Sequence, residues 1–474
     1  MSAAVSSYAR NRRYSPLSER LAEIVCRDGE LREVSTPTRA GAAPSMVDAY
    51  QYDLSRWPVL VDDAFVGRFR ALIDGFQPVV HKVLQAAFRR DASSTARYLS
   101  MPETIAELFG ECTEDPSALF LRYDIVLSDD RIRIVEVNAG STIGGWQHDW
   151  LHGDIRAALD RNAEVSSWNL KYRPVTESMF YTIADAIVRA RGADAPCNIL
   201  MFGYTDEGIR TYGVGLQGAL DHALARLGSG MRGTLVYADR LEELRFDDDA
   251  RLLCRGEVMD AAILVMPEDR PLPPHIYMRL ASSAIAGKLV MPDAPHQILI
   301  GNKLILALLH EPEAQAALTP EEVAFIRAYV PWSTTVGTRT AVARDGTPMP
   351  MDEMLMRDRN DLVIKKAFSL QGRHVVVGRY TDEEQWRRAI EHAIEEGDWL
   401  AQEYCKPDTF VSWCPIGHET EFELVWGVFE MGRRYGGAFV RGLPVQNARG
   451  VINSASGARE FTVFERPALR TMIL

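Results

Sequence analysis

The spacing of apolar residues divides the chain into helical and extended stretches. From Trp57 to Arg90 the large apolar side chains recur every three or four positions, as at Phe65, Phe69 and Phe76, and this spacing predicts a helical region. From residue 119 onwards the apolar period falls to two, which predicts β-strands.

Residues 196–300 follow another pattern, in which short apolar runs alternate with helical stretches such as Val214–Leu227. This alternation predicts a parallel α/β sheet. Further helices are expected at Asn302–His310 and Pro320–Tyr329, followed by a strand-rich segment from Asp361 onwards. The runs that predict buried strands are Ile199–Phe202, Thr234–Tyr237, Ala261–Met266 and Leu289–Met291. The whole chain therefore indicates an α/β (α+β) fold.

The first 45 residues are rich in Ser, Ala, Arg and Thr, with apolar periodicity only at Leu17–Val25. We expect a partly mobile arm there. This segment has no apolar stretch typical of a signal peptide, and the longest apolar runs fall far short of the roughly 20 residues that span a bilayer. We therefore expect a cytoplasmic protein with no membrane partner.

Composition narrows the choice of function. The 474 residues are 47% hydrophobic and 25% charged, a balance typical of globular proteins, and the net charge is −12. An acidic chain is a poor candidate for sequence-independent binding of nucleic acid. None of the six cysteines forms a CxxC pair, so we expect reduced thiols.

His148 and His152 lie four positions apart beside Asp149 and Asp154, but aromatic neighbours favour packing over a zinc site.

The segment Phe120–Gly140 carries the clearest chemical signal. In its first half Leu121, Tyr123, Ile125 and Leu127 alternate with Arg122, Asp124 and Val126, and its second half puts Ile132, Ile134, Glu136 and Asn138 on one face. These two runs predict an antiparallel hairpin. A three-residue loop, Asp129-Asp130-Arg131, sets Asp124 opposite Glu136 and Arg122 opposite Asn138, whereas a two-residue loop puts the two carboxylates on opposite faces.

Directly opposed residues in such a hairpin have Cβ atoms about 5 Å apart. Two carboxylates at that distance repel each other unless a cation lies between them. Because two carboxylates and a carboxamide are the oxygen ligands that suit a hard cation, we expect Asp124, Glu136 and Asn138 to bind Mg²⁺. The alternative is a solvated hairpin with a polar outer face.

Lysines at two places in the chain stand where they could bind phosphate. The strand predicted at Asp361–Lys366 ends in Lys365 and Lys366 and runs into a polar turn with Gly372, and a lysine before such a turn suits phosphate oxygens. Lys303 opens an apolar helix, where a lysine opposes the helix dipole unless an anion is bound. Taken singly, each could also be an ordinary surface lysine.

Together these segments resemble the ATP-grasp superfamily in its circularly permuted form, and look most like glutathionylspermidine synthase-like ligases. The matching segments are the hairpin with Arg122, Asp124, Glu136 and Asn138; Asn302-Lys303 with its helix and Val330-Pro331-Trp332; Val363-Ile364-Lys365 with Gly372-Arg373; Gln402-Glu403; Gly437–Arg441; and Ile452-Asn453 with Gly457-Ala458. The hairpin precedes the lysines, which is the permuted order.

The resemblance implies a domain plan. After the arm, residues 46–170 would hold a helical region and the metal-binding hairpin of the ATP-grasp core. Residues 171–300 would form an inserted Rossmann-like pre-ATP-grasp domain. Residues 301–474 would form the ATP-binding part of the core.

The resemblance also implies an activity: joining a carboxylate to an amine through an acylphosphate, with ATP and one or two Mg²⁺ ions. The substrates would be small molecules, namely an acid and an amine of amino-acid, peptide or polyamine type. A homodimer is one candidate assembly. Catalytic roles would fall to Arg122 and Arg441; the implied nucleotide-binding residues are Lys303, Lys365, Ser369, Gly372, Gln402, Glu403 and Cys405.

Three other functions compete with this one. A phosphotransferase would keep the phosphoryl product and use no amine. A dinucleotide-dependent oxidoreductase is disfavoured, because Phe202–Gly208 lacks the GxGxxG turn. A non-catalytic binding protein is disfavoured because all four hairpin residues and both lysines are present.

Overall fold

The structure is a computed structural model, which describes residues 7–28, 31, 50–88, 91–111, 120–228, 230–265, 272–337, 340–369, 372–413 and 419–467. In this part of the chain the α-helices are α1 (Pro16–Arg27), α2 (Asp63–Phe88), α3 (Ala92–Leu99), α4 (Glu103–Glu111), α5 (His148–Leu159), α6 (Ala163–Ser166), α7 (Val175–Arg191), α8 (Asp206–Leu227), α9 (Pro274–Ile285), α10 (Pro295–Gly301), α11 (Leu304–Leu308), α12 (Pro312–Gln315), α13 (Pro320–Tyr329), α14 (Met351–Arg357) and α15 (Glu383–Glu396).

The strands of the same residues are β1 (Val59–Asp62), β2 (Phe120–Ser128), β3 (Arg131–Ala139), β4 (Cys197–Phe202), β5 (Gly233–Ala238), β6 (Leu244–Phe246), β7 (Leu252–Cys254), β8 (Glu257–Val258), β9 (Ala261–Leu264), β10 (Ser333–Thr335), β11 (Thr340–Val342), β12 (Pro348–Pro350), β13 (Leu362–Lys366), β14 (Val375–Val377), β15 (Trp399–Glu403), β16 (Thr409–Trp413), β17 (Glu419–Met431), β18 (Arg434–Pro444) and β19 (Arg459–Arg466). The architecture is mixed α/β, as predicted.

The largest sheet has the order β1-β19-β18-β17-β2-β3, with β16 paired to the other half of β17. Its ladders are antiparallel except for β1 beside β19. The apolar stripe of α2 covers one face, where Phe69 and Phe76 are buried against Trp426 and Tyr123. Burial of this stripe confirms the predicted helix, although it begins at Asp63 rather than Trp57. The first three residues of β1, Val59–Val61, are all apolar, so their pattern does not distinguish a strand from a helix.

A second, four-stranded sheet has the order β10-β15-β13-β14 and is antiparallel. Leu362 and Ile364 pack with Trp386 of α15 on its inner face. Because side chains alternate along a strand, Val363 and Lys365 point to the other face. Both of them line a cleft towards the large sheet.

The predicted parallel sheet is present as β5-β4-β9. Leu289–Met291, expected as a fourth strand, contributes only one bridge, between Val290 and Ala261. The end of the predicted strand at Met266 lies outside the described residues. The helix expected at Val214–Leu227 is the second half of α8.

Residues 7–28 of the N-terminal arm fold against the body of the protein, whereas the partial mobility expected over residues 1–45 stays a prediction. The Tyr14 ring is buried against Phe65 and Trp426 in the main core. Asn11 Nδ2 donates to the carbonyl oxygen of Val411 at 2.8 Å. These anchors are single residues in a polar segment, so no periodicity marks them. Residues 1–6 and 32–49 lie outside the described part.

No helix in the described ranges is both long and apolar enough to cross a bilayer.

Candidate active site

The β2–β3 hairpin turns through two residues, not the three that we predicted. Ser128 pairs with Arg131, and the intervening Asp129 and Asp130 have φ of 49° and 59°. Both values are in the left-handed region that a tight primed turn requires, and aspartate tolerates it better than most residues. Taken alone, this turn would put Asp124 and Glu136 on opposite faces.

A β-bulge at Val135 restores the predicted pairing. Ile125 pairs with Ile134 and Asp124 pairs with Glu136, so Val135 is the extra residue. Arg122 then lies opposite Asn138, as predicted. The bulge also corrects our assignment of one shared face, because Ile132 and Ile134 are buried in the main core, whereas Glu136 and Asn138 line cavities on the other side of the sheet. Along β3 the core-facing positions change from even-numbered residues, ending at Ile134, to the odd-numbered Val137. This change is visible in the sequence, and we missed it.

Asp124 lies between two guanidinium groups. Arg122 Nε and Nη2 donate to its two carboxylate oxygens at 2.8 and 3.1 Å, and Arg441 Nη2 lies 2.7 Å from Asp124 Oδ2. Burial by itself would raise the pKa of this carboxyl, but the two arginines outweigh burial and hold the pKa at about 2. Asp124 is therefore an ionised carboxylate.

Lys303 is almost completely buried at the start of α11, with 5% of its surface exposed. Its Nζ lies 3.1 Å from Glu136 Oε1 and donates to the carbonyl oxygen of Ser369 at 2.9 Å. The predicted phosphate lysine and the predicted metal carboxylate thus form an ion pair. Any polyanion that takes over Lys303 would free Glu136.

Lys365 and Lys366 point to opposite faces of the small sheet. Lys365 Nζ donates to Gln402 Oε1 at 2.7 Å and to the carbonyl oxygen of Val135 at 2.8 Å. Burial lowers the pKa of Lys365 to about 8, although Glu136 acts in the opposite direction. Lys366 instead pairs with Glu396 at 2.9 Å on the outer side.

The cleft between the two sheets is open to solvent on one side and has a cavity volume of about 100 Å³. Asp124, Glu136, Lys365 and Arg441 form its polar end, while Val126, Val135, Val363, Val377 and Ile452 supply an apolar wall that the sequence analysis did not foresee. Of the nucleotide residues implied by resemblance, the cleft is lined by Gly372, Gln402, Glu403 and Cys405. Ile452 and Asn453, which belong to a segment that carries the resemblance, lie in a loop.

Gln402 and Glu403 at the cleft edge already have protein partners. Gln402 Oε1 accepts a hydrogen bond from Lys365, and its Nε2 donates to Ser333. Glu403 forms ion pairs with Arg133 and Arg344. Burial raises the pKa of the Cys405 thiol, so it is not a ready nucleophile.

A second cavity of about 550 Å³ adjoins the first and shares Glu136 with it. Asn138, Lys303 and Ser369 line this cavity, so it holds the remaining predicted site residues except Arg122. Arg373 and His374 line it as well. Arg122 lines neither space directly and acts on the site through Asp124.

The residues present suit a hard cation. Asp124 is ionised, Glu136 is 27% exposed at its side chain beside the junction of the two cavities, and Asn138 supplies a carboxamide whose Nδ2 has no partner among the described residues. Two carboxylates and a carboxamide oxygen match the ligand preferences of Mg²⁺, and in this structure arginines contact both Asp124 oxygens.

The histidine pair does not form a zinc site. His148 is buried and lies 2.8 Å from Glu460 Oε2, and burial lowers its pKa to about 3. His152 stacks on Tyr172 with ring centroids 4.0 Å apart. Across the described ranges no group of three or more His, Cys, Asp and Glu side chains could hold a metal ion.

No protein-family model matches the chain, and no curated protein sequence matches it. Among solved structures the chain is similar to a glutathione synthetase-like effector from Globodera pallida in its apo form, with a TM-score of 0.54 and 11% identity over 89% of this chain and 91% of that one. A proposed gamma-glutamylcysteine synthetase from Methylobacillus flagellatus gives a TM-score of 0.36 and 12% identity, over 82% and 88% of the two chains. The first likeness shows a shared fold; the second is too low to support an argument.

Proposed function

We propose that the protein is an ATP-dependent carboxylate–amine ligase on a circularly permuted ATP-grasp fold. The observation that carries this proposal is the convergence of four cationic side chains on the Asp124–Glu136 pair, at the junction of two cavities. Lys303, Arg122 and Arg441 contact the carboxylates directly, and Lys365 contacts the bulge residue Val135 next to Glu136. The fold shared with a glutathione synthetase-like effector supports it.

Cations gathered in a partly buried cleft suit a polyphosphate. The apolar wall of the cleft would hold the adenine, with Gln402, Glu403 and Cys405 at its edge. Lys303 and Lys365 would bind the α- and β-phosphates, with Ser369 and Gly372 covering them. Asp124, Glu136 and Asn138 would hold Mg²⁺, which neutralises phosphate charge when bound.

The reaction would run in two displacements. A carboxylate oxygen of the acid attacks the γ-phosphorus and ADP leaves, giving an acylphosphate. The amine then attacks the acyl carbon, the C–N bond forms and phosphate leaves with a proton lost from nitrogen. Arg441 would stabilise the negative charge that both steps develop, and Arg122 would hold Asp124 in place. No protein nucleophile is needed.

Product analysis tests this proposal. Pairs of amino acids, peptides and polyamines are screened with Mg²⁺ and ATP for release of inorganic phosphate, with the Asp124→Asn variant as the inactive control. An amide product with ¹⁸O transferred from labelled carboxylate to phosphate is expected. A stable phosphoester without free phosphate would mean a phosphotransferase, and AMP with pyrophosphate would mean adenylation. Either result would contradict the proposal.

A further inference from the structure

A third cavity, with a volume of about 320 Å³, lies at the end of β19 and shares no lining residue with the other two. Four parts of the chain meet around it: the start of α2, the segment 171–174 with the first turn of α7, the end of α8 and the end of β19. Lys171 is fixed there by backbone hydrogen bonds in both directions with Glu465. The cavity is therefore a separate candidate site.

Basic side chains predominate in the wall of this third cavity. Two acidic residues line it, Asp63 and Glu465. The basic residues that line it are Arg70, Lys171, Arg173, Arg226 and Arg466.

Ion pairs neutralise three of these five cations. The partners are Asp63 for Arg70, Glu465 for Arg173 and Glu177 for Arg226, at N–O distances of 3.2, 3.2 and 3.3 Å. These three arginines therefore need no further anion.

Two positive charges are left without a partner. The side chains of Lys171 and Arg466 are exposed and form no ion pair with any residue that the structure describes. The whole chain has a net charge of −12, so two unneutralised cations in one cavity stand against the average of the molecule. A concave site lined by one sign of charge attracts ligands of the opposite sign. The ligand that balances this cavity carries two negative charges.

We propose that this cavity binds a phosphate group with two negative charges, and that Lys171 and Arg466 are its charge partners. A phosphate monoester carries about 1.5 to 2 negative charges at pH 7, whereas a carboxylate or a phosphodiester carries one. The guanidinium of Arg466 offers a fork of donors that fits phosphate oxygens, and Lys171 adds a point charge. Val66, Tyr172 and Pro174 supply apolar surface on which the organic part of an ester can pack.

The test is a binding measurement by calorimetry at low salt, where charge interactions are screened least. The phosphate probes are inorganic phosphate, glucose 6-phosphate and AMP, and their monoanionic controls are nitrate, glucose 6-sulfate and cyclic AMP. At least one phosphate probe should bind about tenfold more tightly than its control, because the second charge adds a charge-assisted contact. Tighter binding of an ester than of inorganic phosphate identifies the ester as the ligand, and the reverse order identifies the free ion.

Variants locate the site. The double variant Lys171→Met/Arg466→Met should lose about tenfold or more in affinity for the phosphate probe, while a non-hydrolysable ATP analogue binds within about twofold of the wild type. Arg131→Met/Lys288→Met is the matched control, because it removes the same two charges from exposed positions that line none of the three cavities. It should change the affinity for the probe less than about twofold. Lys365→Met, which alters the cleft between the sheets, should leave this affinity unchanged as well.

Three results would overturn the inference: no phosphate probe binds, the monoanionic controls bind equally well, or the two double variants lose the same affinity. A loss caused by Lys365→Met in place of the Lys171→Met/Arg466→Met variant would put the phosphate in the cleft and would also overturn it. The site uses none of the residues assigned to ATP or Mg²⁺. Failure of the ligase proposal would therefore leave this measurement intact, and failure here would leave the ligase proposal standing.

Discussion

Lys365 donates a hydrogen bond to the carbonyl oxygen of Val135, the extra residue of the bulge that sets Asp124 opposite Glu136. A lysine of the four-stranded sheet thus contacts the β-bulge of the β2–β3 hairpin in the large sheet. The same bulge turns Val135 towards the cleft wall and Glu136 towards Lys303. One local irregularity therefore fixes both the carboxylate pair and its contact with a lysine.

The two neighbouring lysines should differ in nucleotide binding. Lys365→Met removes a buried cation at the cleft and should weaken ATP binding about tenfold to a hundredfold, the value of a hydrogen bond to a charged group. Lys366→Met is the matched control, because Lys366 pairs with Glu396 on the outer face, and it should change affinity less than twofold. Titration with a fluorescent ATP analogue measures both. A larger loss at Lys366 would show that the strand phase is wrong.

Removing one hairpin charge should abolish metal-dependent turnover. Asp124→Asn keeps an oxygen that can accept from Arg122 but loses the carboxylate that the pKa of about 2 keeps ionised. ATP hydrolysis or ligation with Mg²⁺ should become undetectable, while the circular dichroism spectrum stays that of the wild type. Asp129→Asn makes the same chemical change in the turn, where asparagine also tolerates positive φ. It should remain active; near-normal turnover by Asp124→Asn would contradict the metal assignment.

Glu430 should make stability depend on pH. It is fully buried on the core face of β17, where Tyr123 and Gln77 donate to it, and burial raises its pKa from 4.5 to about 8. The folded state therefore keeps a proton that the unfolded state loses above pH 4.5. The stability due to this proton is complete below pH 4.5 and is lost as the pH rises towards 8.

Glu430→Gln should remove this loss. The free energy of unfolding of the variant minus that of the wild type should increase from pH 5 to pH 8 by on the order of a few kcal/mol. Urea unfolding at several pH values measures this difference. Turnover should not change, because Glu430 faces the core and not the cleft. A difference between the two proteins that is constant over this pH range would contradict the assigned protonation.

The sequence predicts those parts of the site that depend on local patterns. Alternation along β2 and the spacing from Asp124 to Glu136 identified the carboxylate pair. The choice of Lys365 over Lys366 came from the family resemblance, because the sequence pattern left it open. The turn was predicted wrongly, because a two-residue turn with a bulge and a three-residue turn without one give the same pairing. The apolar wall of the cleft and the cavity around Lys171 depend on how distant elements pack, which no local period records.

Arg441 should contribute more to the rate than to nucleotide affinity. Its Nη2 lies 2.7 Å from Asp124 Oδ2, and its guanidinium lies over the Phe439 ring at 5.6 Å, so its planar head is held in place. Lysine keeps the charge but not the fork of donors, so Arg441→Lys should bind ATP within threefold of the wild type. Its kcat should fall about 10²- to 10³-fold, the usual effect of losing one group that stabilises transition-state charge. Arg434→Lys, at the exposed start of the same strand, serves as the control, and steady-state kinetics beside equilibrium binding separates the two effects. A loss confined to ATP affinity would place Arg441 on the nucleotide alone and not on the transferring phosphoryl group.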